Sequence, residues 1–150
     1  MQPEIFELHP TDAVALSQLL CAARPDYIAH FHPFPFGKAD IEARLGHRDC
    51  YWGLRSGGTL AGFFMLRGFD EGYRRPSFGV FVAESFTGRG FARAALAHAL
   101  NWCAENGIAL VMLKVHPDNT RARRAYNEAG FESLGICPQT GHEICEKRIL

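Results

Sequence analysis

Neither sign of charge is in excess in this 150-residue chain, where sixteen Lys and Arg stand against sixteen Asp and Glu. A dedicated nucleic-acid binder carries a strong basic surplus, so that class is set aside. No apolar run approaches the ~18 residues that a bilayer span requires. The opening Met1-Gln2-Pro3-Glu4 lacks the basic and then apolar regions of a secretory signal. The expectation is a cytoplasmic protein with no membrane partner. Cysteine is present but unpatterned: Cys21, Cys50, Cys103, Cys137 and Cys145 are odd in number, scattered and free of any C-x-x-C pair. Disulfide frameworks and structural zinc sites want paired spacing, so neither is expected, and no metal is assigned. Repeats, low-complexity tracts and linkers are missing as well, which makes residues 1–150 one domain. What remains is an ordinary globular composition, 47% apolar and 21% charged.

Patterning gives the order of elements. Glu4 to Leu8 alternates as a short strand, and Thr11 to Ala23 carries Ala13, Leu16, Leu19 and Leu20 at helical positions, with Pro25 ending it. Tyr27 to Phe36 is aromatic, proline-punctuated and aperiodic, and reads as a loop or broken helix. Ala39 to Leu45 is a second short helix. Cys50–Arg55 and Thr59–Phe69 flank Ser56-Gly57-Gly58, a hairpin signature, and Ser77–Val82 returns as a strand. Phe91 to Asn106 is a long helix closed by Gly107. The near-continuous apolar run Ala109–Val115 predicts a strand covered on both faces. A helix follows from Asp118 or Asn119 to Ala129, and Phe131–Ile136 and Glu143–Ile149 close the chain as strands. The fold class expected is α/β, a mixed, largely antiparallel sheet of six to seven strands with helices on both faces.

Two constellations carry chemistry. In the first, the strand Ser77–Val82 runs into Thr87-Gly88-Arg89-Gly90-Phe91-Ala92-Arg93, a glycine turn that opens a helix. A helix start leaves backbone N–H groups unpaired at the positive end of the dipole, which suits a pyrophosphate. Gly88 and Gly90 let the backbone come close, and Arg89 and Arg93 add charge-assisted bonds. The pattern is neither a Walker loop nor G-x-G-x-x-G. In the second, Tyr126 lies seven residues after Asn119, about two helical turns, so both can face one cleft.

Together these segments resemble the GNAT family of acyl-CoA N-acyltransferases. Thr87-Gly-Arg-Gly90-Phe-Ala92 matches the family's Gln/Arg-x-x-Gly-x-Gly/Ala at all but the first position. Asn119 to Phe131 matches Asn-x-x-Ala-x-x-x-Tyr-x-x-x-Gly-Phe at every fixed position. The resemblance implies a sheet splayed between its fourth and fifth strands, holding acetyl-CoA as acyl donor. Main-chain groups of Phe81 and Val82 would then meet the pantetheine arm. An N–H near Val82 would stabilise the oxyanion, and Tyr126 would protonate the departing thiolate. Asn119 would bond the pantetheine or a water beside it, though as a bare residue it reads equally as an N-cap. The amine acceptor would attack directly.

For the general base, His116 follows the strand Ala109–Val115, and its ordinary pKa near ~6.5 suits proton removal. Asp70 and Glu71, on the turn before Ser77, are further candidates, with Glu71 carried as catalytic. His98 reads as structural. Phe34, in the aromatic run Tyr27–Phe36, is expected to form an acceptor-binding wall opposite Asp70 and Glu71. The alternative is core packing. The expected activity is N-acetyl transfer to a small-molecule amine, with an amino sugar or its nucleotide leading. A peptide or protein N-terminal acetyltransferase and a non-catalytic CoA-binding module stand as alternatives. A homodimer is left open.

Overall fold

The computed structural model describes residues 2–150. Its strands are β1 (Glu4–Glu7), β2 (Cys50–Ser56), β3 (Thr59–Arg67), β4 (Ser77–Val82), β5 (Leu110–Val115), β6 (Glu132–Ile136) and β7 (Glu143–Arg148). Its helices are α1 (Ala13–Cys21), α2 (Pro25–Ile28), α3 (Lys38–Arg44), α4 (Phe91–Glu105) and α5 (Thr120–Glu128). The strands form one seven-stranded sheet in the order β1-β2-β3-β4-β5-β7-β6. Every neighbouring pair is antiparallel except β4 and β5, which run parallel.

Two cores follow from the period-two alternation of the central strands. Trp52, Leu54, Phe64, Leu66 and Phe78 face α4 and α5, while Tyr51, Phe63, Met65 and Phe81 face α1 to α3. From α4, Phe91, Ala95, Ala99 and Cys103 are buried at a spacing of four, one stripe of an amphipathic helix. The small side chains of Ala95 and Ala99 let this helix lie close against β3 and β4. On the other face Ala13, Leu16 and Leu20 of α1 do the equivalent work. Each large side chain buried in this way contributes ~1.5–3 kcal/mol.

The expected sheet is present with seven strands and helices on both faces. One element differs. Pro25 does not merely end α1; it occupies the first turn of α2. Proline suits that position because the N–H it lacks has no helical partner there. All five cysteines are free thiols. No described helix is long and apolar enough to cross a membrane.

Candidate active site

Among the described strands the parallel pair, β4 and β5, is also the most briefly paired seam. β4 and β5 are in register at Ser77 with Met112 and Phe78 with Leu113, and no further. Beyond Phe78 the strands diverge, while β4 stays paired with β3 up to Val82 opposite Gly62. Backbone direction alternates along β4. The Pro76 carbonyl accepts from Met112 N–H on the β5 side, whereas Ala83 N–H donates to the Ala61 carbonyl on the β3 side. The N–H and C=O groups of Val80 and Val82 therefore point into the gap. This corrects one expectation: the main chain of Phe81 faces β3. Its carbonyl oxygen lies so near Gly62 that a Cβ there would approach within 2.2 Å, and its ring is 5% exposed in the core. On β4 it is the main chain of Val80 and Val82, not of Phe81, that faces the gap.

The glycine turn lies past the end of β4. Gly88 and Gly90 both have positive φ, +79° and +80°, a region that side-chain-bearing residues enter only under strain. Gly90 is the N-cap of α4 and offers no side chain, so the N–H groups of Phe91, Ala92 and Arg93 are left for a ligand. The ring of Phe91 is buried against Phe86, so this residue and Ala92 present backbone N–H groups rather than side chains at the turn. Thr87 directs its hydroxyl to the Glu84 carbonyl at 2.8 Å, which shapes the turn. Arg89 lies over the Phe86 ring, but Arg93 is paired with Glu128 at 3.1 Å. A second cation, Arg121, stands beside the turn. Its Nη2 stands 3.8 Å from where a Cβ on Gly88 would be, and among the described residues it makes no ion pair.

Tyr126 sits at the apex of the divergence. Its ring packs edge-on against Phe78, the last β4 residue still paired with β5, at 6.4 Å, and against Phe131 at 5.9 Å. Burial pushes its phenol up to about 12, so it keeps its proton throughout the physiological range. A cavity of about 450 Å³ between α5 and β7 reaches it, lined also by Arg123, Glu143 and Cys145. Asn119 is the α5 N-cap: its side-chain oxygen accepts from Ala122 N–H at 3.1 Å, leaving its amide N–H groups for a ligand.

A strap crosses the α1–α3 face of the gap. Arg24 grips Glu84 with two bonds, of 2.8 and 2.6 Å, and the Tyr27 hydroxyl donates to the Val82 carbonyl at 2.5 Å. His30 stacks on His116 with ring centroids 3.6 Å apart. The strap thus touches β4 at one end and the exit of β5 at the other. Arg24 caps the start of α2, Tyr27 lies within it and His30 follows its end.

A strand edge opened beside its parallel neighbour, next to a helix start stripped of caps, is the arrangement that the two motifs imply. The sequence matches the acetyltransferase (GNAT) family over residues 15–131. The chain belongs to this family. It is 35% identical over 109 residues to the N-alpha-acetyltransferase RimI of Mycobacterium tuberculosis, covering 69% of this chain and 65% of that protein. It is 37% identical over 87 residues to a mycothiol acetyltransferase of Corynebacterium aurimucosum, covering 55% of this chain and 28% of that protein. In both cases the match spans less than two thirds of the relative. Among solved structures, the PaiA N-acetyltransferase of Thermoplasma acidophilum in complex with coenzyme A superposes with a TM-score of 0.79 at 18% identity, over 99% of each chain. That likeness shows the GNAT fold.

Within this GNAT chain the acceptor-side expectations fare differently. Phe34 is 7% exposed and packs on Tyr51, Phe63 and Phe36, so it is a core residue and not a wall. Its neighbour Phe31 rests on Phe63 and Phe81 in the same core. Asp70 accepts from the N–H groups of Arg48 and Asp49, at 2.7 and 3.2 Å, while Asp49 accepts from those of Gly68 and Asp70. That reciprocal clasp ties two loops together and leaves Asp70 a structural residue. Glu71 is exposed on the turn preceding β4, where β4 and β5 are still paired, and nothing brings it to the gap. His98 is packed edge-on against Trp52 and Phe64, as expected of a structural residue.

Proposed function

We propose that the chain transfers the acetyl group of acetyl-CoA to a primary amine by direct attack. The observation that carries this reading is one cleft holding both the gap-facing backbone of Val80 with the Val82 N–H and the uncapped start of α4. Pantetheine is a chain of amides, so it completes such an edge as an added strand does. The α4 N–H groups, with Arg89 and Arg121, hold the pyrophosphate. A gap-facing N–H of Val80 or Val82 polarises the thioester carbonyl and stabilises the oxyanion. Tyr126 keeps its proton at neutral pH and gives it to the departing thiolate. Asn119 offers its amide N–H groups to the pantetheine or to a water beside it.

The acceptor is an amine, and two classes compete. An amino sugar or its nucleotide was favoured by an aromatic wall; with Phe34 in the core, that support falls away. Similarity to an N-alpha-acetyltransferase favours the α-amine of a peptide. Tyr126 at the apex of the gap weighs against a non-catalytic CoA-binding module. The test is thiol release from acetyl-CoA with amino sugars, nucleotide amino sugars, polyamines, aminoglycosides and short peptides. Turnover confined to amines is expected. Tight acetyl-CoA binding without turnover of any of them would contradict the reading and favour the binding module.

A further inference from the structure

Three histidines from three separate segments meet on the face of the sheet opposite Tyr126. His30 follows α2, His116 follows β5, and His142 precedes β7. His30 and His116 are stacked at 3.6 Å, and His142 stands edge-on to both, at 6.3 and 5.5 Å. Val115 belongs to the α4-side core, so the next residue, His116, turns to the α1–α3 side. Its Nδ1 accepts from the Asp118 N–H at 3.1 Å. A neutral imidazole that accepts at Nδ1 carries its proton on Nε2 and has no lone pair to spare. His116, the base expected from the sequence, is thereby occupied.

His142 is differently placed. Its backbone is pinned, with its carbonyl accepting from Cys137 N–H at 2.8 Å and its N–H donating to Thr140 Oγ1 at 3.2 Å. Among the described residues its ring nitrogens have no hydrogen-bond partner. We infer that the cluster is the proton-accepting end of the site, with His142 taking the proton of the acceptor amine and His116 and His30 positioning it. The inference rests on the acetyl-transfer reading above.

The electrostatics favour an uncharged ring. Burial, then His116, His30 and Lys114, hold His142 below the ordinary imidazole value. Lys114 reaches it from β5. Asp118, 3.9 Å from His116 Nδ1, is the carboxylate beside the cluster, and it is exposed. The neighbouring Glu143 is committed to Arg123.

The chemistry balances. An ammonium group gives one proton to the His142 lone pair, and the freed amine forms its N–C bond to the thioester carbon as the C–S bond breaks. The nitrogen then gives its second proton to water and His142 returns the first to solvent, while the thiolate takes one from Tyr126, whose phenolate is reprotonated from solvent. One proton is released per turnover. By register His116 lies level with Phe81, three residues or ~10 Å along the strand from Phe78, so the amine proton reaches the cluster through water. Acid and base thus work from opposite faces of one gap.

The experiment compares wild type, His142→Gln and His116→Gln, using the amine identified by thiol release, with kcat and KM measured against pH. Activity needs uncharged His142, so the wild-type rate falls as pH drops through a value below ~6.5. His142→Gln should lose ~10²-fold or more in kcat and lose this acid limb, with acetyl-CoA affinity by calorimetry unchanged. His116→Gln removes the imidazole that stands edge-on to His142 and helps to hold its pKa down, so the limb should move to higher pH. Full rate with an intact acid limb in His142→Gln overturns the cluster while leaving acetyl transfer standing. Wild type that releases thiol with no amine overturns both. Histidine ring NMR of wild type, which needs no acceptor, must place His142 below the ordinary imidazole value; titration at or above it also overturns the inference.

Discussion

Tyr126 and Phe34 are both rings among rings, and their surroundings separate their roles. Tyr126 touches Phe78 at the last paired position before the strands part, and its phenol is pushed up to about 12. Tyr126→Phe should therefore lower kcat by ~10²–10⁴-fold while acetyl-CoA affinity stays nearly intact. A group with so high a pKa must lose its proton before it fails, so wild type should show no alkaline limb near neutral pH. A decline in kcat just above neutrality that Tyr126→Phe abolishes would contradict this assignment. Phe34 lies in the second core, so Phe34→Ala should cost ~3–5 kcal/mol of stability, read as a lowered Tm, and impair both substrates together. A selective rise in the acceptor KM without loss of stability would restore it as an acceptor wall. The sequence showed that Tyr27–Phe36 holds too many rings for a solvated connector. It could not show which rings fill the core, because that depends on β3 and β4 passing beneath them. Asp70 was misread for a related reason: its partners, the N–H groups of Arg48 and Asp49, are some twenty positions away.

At the scale of elements, local signals were the most legible. The hairpin between β2 and β3, the apolar stripe of α4 and the motif from Asn119 to Phe131 all lie within one or two elements. Each therefore shows in sequence spacing. The start of α4 was legible too, because glycine at positive φ ahead of an amphipathic helix has few other uses. Gly90→Val places a β-branched residue at φ +80°. It should weaken acetyl-CoA binding by calorimetry well beyond its effect on Tm, since the turn is exposed and contributes little to the core. Unchanged affinity would remove the cradle from the site. Arg121→Ala should also weaken acetyl-CoA binding, and more so at low ionic strength, since an exposed guanidinium acts chiefly through its charge. Equal affinity at all salt concentrations would leave Arg121 a surface residue. The strap was hidden because its contacts join residues 55 to 86 positions apart, and no local pattern encodes them.

The whole molecule explains where the gap lies. Hairpins and short returns keep antiparallel neighbours in register, but β4 and β5 are joined only through α4, packed across the sheet. Their parallel pairing is short, and divergence there breaks the fewest ladder bonds. The order of elements was readable from the chain; the alternation that sends Val80 and Val82 into the gap and Phe81 toward β3 needed the register. That alternation is also what hydrogen exchange resolves one amide at a time. Without ligand, the N–H groups of Val80 and Val82 should exchange quickly, while those of Phe81 and Ala83, bonded to β3, should be protected. Saturating acetyl-CoA should slow Val80 and Val82 and leave Phe81 and Ala83 as they were. If Val80 and Val82 exchange at the same rate with and without acetyl-CoA, the gap is not the acyl-donor site and the account fails at its centre.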